Sequence, residues 1–187
     1  MTDAEQQELL AVLALAEPAP IDAPARLRAL EDKAAIHERI VEYGLLCDAR
    51  DWDSLLDRYT DDIERTLAGT LTEHVVGKPA LRAKLEAPTL QRSTSGAKPA
   101  PAPDALLALQ FRHLMANEVI RLQGDGDEAV AAVQYSLVAT RDDGRQPERG
   151  VHEGSYIFGF RRCEGSWLFR SQRIFSDNAR NPMFQRA

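Results

Sequence analysis

Four β-rich runs fill the last third of the chain, and they limit its fold more than any other feature. They are Gln110 to Leu122, Ala129 to Thr140, Val151 to Arg162 and Trp167 to Ser176. Gly124-Asp-Gly126, Asp143-Gly144 and Glu164-Gly165 separate them, and all three are turn chemistry suited to hairpins. Strands joined by turns this short pair antiparallel, so this third should form a meander.

The first half is helical in texture. Asp3 to Glu17 reads as a short amphipathic helix carrying Leu9, Leu10, Val12, Leu13 and Leu15, and the stretch Pro18 to Pro24 breaks it. From Arg26 to about Arg50, the residues Leu27, Leu30, Ala34, Ile36, Ile40, Val41, Gly44 and Leu45 recur at spacings of three and four. That spacing predicts a helix with one buried face. Asp51 is placed to cap a further short helix, Trp52 to Tyr59, with Trp52, Leu55 and Leu56 inward. Short β-type runs flank Gly69 and precede Gly77, and Pro79 to Glu86 is helical again. Residues 88–103, rich in Pro, Ser, Ala and Gly without periodicity, predict a flexible loop or flap. Helices followed by a long meander predict an α+β fold in which the sheet curls around the helices. One domain over 26–187, with 1–25 as an appended helical arm, is the economical division.

Bulk properties narrow the function classes. The chain has 187 residues, of which 44% are hydrophobic and 28% charged, enough for one domain with a real core. Its net charge of -6 disfavours a nucleic-acid partner, which needs a concentrated basic face. The arginines near the end (Arg161, Arg162, Arg170, Arg173, Arg180 and Arg186) are interleaved with apolar residues, as on a solvated sheet face from which one can reach a ligand. Cys47 and Cys163 are too few and too far apart for a zinc site or a disulfide framework. No signal peptide or membrane-length apolar run is visible, so a cytoplasmic protein with no membrane partner is expected.

Two residues stand out as candidates for chemistry. Asp48 lies four residues after Gly44 and eight after Ile40, within the apolar stripe of the long helix. A carboxylate there is either paired at a wet cavity or, if the helix frays at Cys47, merely exposed near Arg50. Phe111, His113, Met115, Asn117 and Val119 alternate onto one strand face. That mixture suits a pocket wall, although a lone histidine is equally at home in a core, bonded to a backbone carbonyl. His152 alternates with Gly154, Tyr156 and Phe158, and either sheet face is open to it. His37 and His74 have no convincing partner and read as surface residues. No phosphate loop, nucleophile elbow or metal-ligand spacing is present, so any chemistry is expected to run without metal or cofactor.

Four separated motifs carry a family resemblance. Ile40-Val-Glu-Tyr43-Gly-Leu-Leu-Cys-Asp48-Ala-Arg-Asp-Trp52-Asp-Ser-Leu-Leu56 resembles the opening helices of SnoaL-like proteins, part of the nuclear-transport-factor-2-like superfamily. Gly77-Lys-Pro-Ala-Leu81 resembles that family's "G-x-x-A-I/L" helix start, and His113-Leu-Met-Ala-Asn117 its "H-x-x-x-N" strand. Gly165-Ser-Trp167, followed by Arg173, resembles its closing strand. The resemblance spans roughly Ala34 to Phe175 and implies a cystatin-like cone, with helices packed in a curved antiparallel sheet. Scytalone dehydratase, hexachlorocyclohexane dehydrochlorinase and bile-acid dehydratase belong to this superfamily and use a histidine–aspartate pair as base. The resemblance therefore implies that His113 and Asp48 are catalytic, with Tyr43 assisting a departing or enolising oxygen. It also implies that Asn117, Arg173, Met115, Phe111, Trp52 and Tyr156 are substrate-binding.

The implied activity is a cofactor-independent dehydratase-like lyase or isomerase acting on a small hydrophobic cyclic or aromatic molecule. Small subunits of aromatic-ring dioxygenases share the fold, so a non-catalytic assembly role is the alternative, and a ligand-binding module is a third. A homo-oligomer, dimer or trimer, is expected to use the outward residues of the last three strands.

Overall fold

In the computed structural model, the residues described are 2–17, 22–68, 73–86, 109–141 and 148–177. The expected loop at 88–103, the turn at Asp143-Gly144, and Arg180 and Arg186 lie outside them. Helix α1 (Asp3–Ala14) begins in a capping box, where Thr2 and Glu5 each accept from the other's backbone N–H. Helix α2 (Ala23–Ala49) is capped by Asp22, whose Oδ1 accepts from Ala25 N at 2.8 Å. Pro24 sits in its first turn, where a missing N–H costs nothing, so the break ends earlier than the prolines suggest. Arg50 takes φ 55° in the left-handed region and closes the helix, so α2 does not fray before Asp48.

Asp51 caps α3 (Trp52–Leu56), and the chain turns at once into β1 (Tyr59–Leu67); Tyr59 opens a strand rather than closing a helix. Strand β2 (Glu73–Val76) and helix α4 (Lys78–Glu86) follow. The meander is then β3 (Leu109–Gln123), β4 (Glu128–Arg141), β5 (Glu148–Cys163) and β6 (Ser166–Ser176). The six strands form one curved sheet in the order β2-β1-β6-β5-β4-β3. All neighbours run antiparallel except β1 and β6, which are parallel. No hairpin joins those two, so nothing in the turn chemistry could announce their direction, and the sheet is mixed rather than wholly antiparallel.

Helix α2 lies across the concave face, and its residues split between two sides. Ile36, Ile40, Tyr43 and Gly44 are buried, and Leu46 and Cys47 pack against the same core. Leu27, Leu30, Val41 and Leu45 point outward, 40–66% exposed. The spacing of three and four therefore merged two stripes, and Asp48 sits on the shoulder between them, facing the β3 edge. From the sheet come Val133, Tyr135, Tyr156, Phe158, Phe160, Phe169 and Ile174, all buried. At roughly 1.5–3 kcal/mol for each large apolar side chain buried, this cluster is the main favourable term.

The convex face is covered in part by the chain itself. Helix α1 packs against β3 and β4, and its Glu8 pairs with Arg173 of β6 at 3.0 Å. Glu17, just beyond α1, accepts from the edge N–H of Leu122 at 3.1 Å and pairs with Lys33 at 2.9 Å. Among the outward residues, Ala132, Ser155 and Phe175 are already buried in one copy of the chain, so less of this face is left for an oligomer than the strand pattern implied.

Candidate active site

The end of α2 and the start of β3 come together because a glycine lets them. A Cβ on Gly44 would lie 3.2 Å from the His113 Cβ and 3.6 Å from the Met115 Cγ. One turn further along the helix, the Asp48 carboxylate meets His113 twice. Its oxygens accept from the His113 backbone N–H at 3.0 and 3.1 Å, and Oδ1 lies 2.7 Å from the ring Nδ1. The side chains are 11% (His113) and 9% (Asp48) exposed. A carboxylate only accepts, so Nδ1 carries the hydrogen, and in the neutral ring the lone pair falls on Nε2. Among the described residues Nε2 has no hydrogen-bond partner.

Tyr43 forms the floor beneath this ring, with centroids 5.9 Å apart in edge contact. Its hydroxyl oxygen accepts from Gln172 Nε2 at 2.9 Å, and its ring is in edge contact with that of Tyr156. Burial pushes Tyr43, Tyr59 and Tyr156 well above the usual phenol range, so all three stay protonated. Burial also pushes the Cys47 thiol up to about 12, which makes it inert as a nucleophile. All four tyrosines of the chain line this interior: Tyr59 reaches Gln172 Oε1 at 3.4 Å, and the Tyr135 ring lies tilted against Tyr156 with centroids 4.4 Å apart.

A second histidine looks inward. His113, Leu137 and His152 occupy one row across β3, β4 and β5. The His152 Nε2 lies 2.6 Å from Ser176 Oγ, and its Nδ1 lies 3.3 Å from the Tyr135 hydroxyl. Burial holds its pKa below the usual imidazole value, against the opposing pull of Asp177. Alternation along β5 left both faces open to His152, and its cross-strand partner Leu137 is what places it on the concave side. His37 and His74 are exposed, beside Glu118 and Glu64 respectively.

The other sequence candidates divide. Met115 and Tyr156 face the interior. Phe111 shares the face of His113 near the start of β3, with the Arg50 guanidinium 5.6 Å from its ring centre. Trp52 packs at the core's edge on α3. Asn117 does not join the site. It sits in a bulge of β3 at φ 52°, exposed, with Nδ2 donating to Gln134 Oε1 at 2.6 Å. The bulge reverses the alternation, so Ile120 and Leu122 face inward where Val119 was expected. Arg173 is also outside, because it pairs across from Ile157 on the convex face and is held by Glu8.

A family model for the SnoaL-like domain matches residues 28–173, the stretch holding most of α2 and of the sheet, with Tyr43, Asp48, His113 and His152. The chain belongs to the SnoaL-like family. It resembles the solved structure of an NTF2-like protein with a cystatin-like fold from Novosphingobium aromaticivorans, at 22% identity, covering 88% of this chain and 95% of that one with a TM-score of 0.60. It also resembles the β subunit of benzoate 1,2-dioxygenase from Burkholderia mallei (16% identity, 78% and 90% covered, TM-score 0.59). A type 2 hexachlorocyclohexane dehydrochlorinase matches at 16% identity, 81% and 89% coverage and a TM-score of 0.60. These likenesses establish the NTF2-like, cystatin-like fold. No curated protein matches the sequence. No helix among the described residues is long and apolar enough to cross a membrane.

Proposed function

We propose that this SnoaL-like protein is a cofactor-independent lyase, of the dehydratase kind, or an isomerase, with His113 as general base. The observation that carries the reading is the imidazole itself: Nδ1 is fixed on Asp48, and Nε2 is left without a hydrogen-bond partner among the described residues in a largely buried setting. Nε2 would take a proton from a carbon beside a carbonyl, and the electron pair left on that carbon would expel a β-hydroxyl. The hydroxyl leaves as water, its second proton coming from the imidazolium or from Tyr43. In the isomerase version the same proton returns at a different carbon. Asp48 stabilises the imidazolium and keeps its tautomer, and such base catalysis is worth ~10²–10⁴-fold.

Tyr43 suits the donor role for a physical reason. Its oxygen accepts from Gln172 Nε2, which strengthens it as a donor, and its ring lies against that of His113. A ligand oxygen would accept its hydroxyl proton. The aromatic interior fits a small, fairly hydrophobic cyclic substrate.

The non-catalytic reading also rests on an observation. Asp48 takes the backbone N–H of His113 at the free edge of β3, which is what a purely structural clasp would do. The exposed stripe of Leu27, Leu30 and Leu45 would then meet a partner, as in an assembly subunit. A panel of hydroxylated cyclic ketones and phenols, screened for water loss or double-bond migration, separates the two. Turnover that disappears in His113→Ala and Asp48→Asn, with melting temperatures near wild type, supports the enzyme. Absence of turnover across the panel, with both variants strongly destabilised, supports the clasp.

A further inference from the structure

Gln172 of β6 is 1% exposed and is the one fully buried side-chain amide among the described residues. Its surroundings are aromatic: Phe158 is its cross-strand neighbour on β5, and Phe169 touches the rings of both Tyr43 and Tyr59. A methionine would fill that volume without the cost of taking an amide out of water, so packing alone does not call for a glutamine. Nor does packing call for the two hydroxyls beside it, since Phe158, Phe160 and Phe169 serve the same cluster with bare rings.

The two ends of the amide are used differently. Oε1 accepts from the Tyr59 hydroxyl at 3.4 Å, and Nε2 donates to the Tyr43 oxygen at 2.9 Å. The bonds therefore run in one sense, from Tyr59 through Gln172 to Tyr43, whose ring meets that of His113. That sense decides what Tyr43 can do. An oxygen that accepts on one lone pair turns its own hydrogen to another side, where a ligand oxygen can accept it. Turned end for end, the amide would present Oε1 to Tyr43 and take that hydrogen bond for itself. The Tyr59 hydroxyl opposes the turn, because it keeps its donor bond only while Oε1 faces it.

We propose that Gln172 and Tyr59 are positioning residues: Tyr59 holds the amide this way round, and the amide leaves the Tyr43 hydrogen for the oxygen of a bound ketone. The inference rests on the reading of Tyr43 as a hydrogen-bond donor, and adds what sets the direction of that donor. The test is the infrared carbonyl stretch of 2-tetralone bound to the full chain, which falls as the hydrogen bond to its oxygen strengthens and needs no turnover. The stretch in the wild type lies below that in Tyr43→Phe. Gln172→Met loses most of that difference, and Tyr59→Phe loses part of it. Phe160→Leu, a substitution in the same core away from these hydrogen bonds, lowers the melting temperature and leaves the stretch unchanged. A wild-type stretch equal to that of Tyr43→Phe, or no bound ketone at all, removes the donor reading and this inference with it. A stretch that depends on Tyr43 but is unchanged in Gln172→Met or in Tyr59→Phe overturns this inference alone, whatever happens to the melting temperature. Proton removal by His113 is judged by its own assay.

Discussion

Asp48 accepts hydrogen bonds from both the backbone and the ring of His113, so one carboxylate fixes a strand edge and an imidazole together. That arrangement depends on Gly44, where helix and strand approach so closely that a Cβ would press on the His113 Cβ at 3.2 Å. Gly44→Ala makes a sharp test, because its two effects oppose each other. Alanine favours a helix by ~1 kcal/mol over glycine, while the close contact pushes His113 by a few tenths of an ångström. The melting temperature should stay within a few degrees of wild type while turnover falls about tenfold or more. An active Gly44→Ala variant would show that the dyad tolerates displacement and is not tuned by this contact.

At the scale of elements, the β3 bulge decides which side chains enter the site. Asn117 takes a left-handed conformation there and faces out. Asn117→Val should therefore cost ~1–2 kcal/mol in urea denaturation, Asn117→Gly should be close to neutral, and neither should change ligand affinity. A loss of affinity without a loss of stability would return Asn117 to the pocket. The same element marks where reading the sequence stops working. The four-run meander and the long helix to about Arg50 follow from turn residues and periodicity, whereas periodicity alone left both a paired and a frayed Asp48 open. A bulge has no such signature: Asn117 and Val119 continue the alternation on paper, and one extra residue reverses it. Arg173 is on the convex side for a related reason. Its face depends on β5–β6 pairing, itself shifted between Gly159 and Phe160, and on an ion pair with Glu8, 165 residues away. The mixed spacing on α2 likewise concealed a second, outward apolar stripe.

For the molecule as a whole, the concave interior gathers phenols, an amide and two histidines around a dry aromatic cluster, and its protonation shapes stability. Burial lowers the pKa of His152, so the folded state binds its proton less readily than the unfolded chain does. Stability is then full above the unfolded imidazole value of ~6.5 and declines as pH falls through it, because the unfolded state takes up the proton first. Thermal melts between neutral and mildly acidic pH should show this decline, and His152→Gln should flatten it; an unchanged slope would assign the effect to other groups. The central claim, that the His113 Nε2 removes a proton from carbon, is tested most directly by isotope exchange. Cyclic ketones such as 2-tetralone are incubated with the protein in deuterium oxide, and loss of the proton signal beside the carbonyl is followed by NMR. The account predicts exchange well above buffer with the wild type and a fall to the buffer rate with His113→Gln, which keeps the shape but not the basicity. Exchange that persists undiminished in His113→Gln, or no exchange above buffer with any ketone tried, would contradict it.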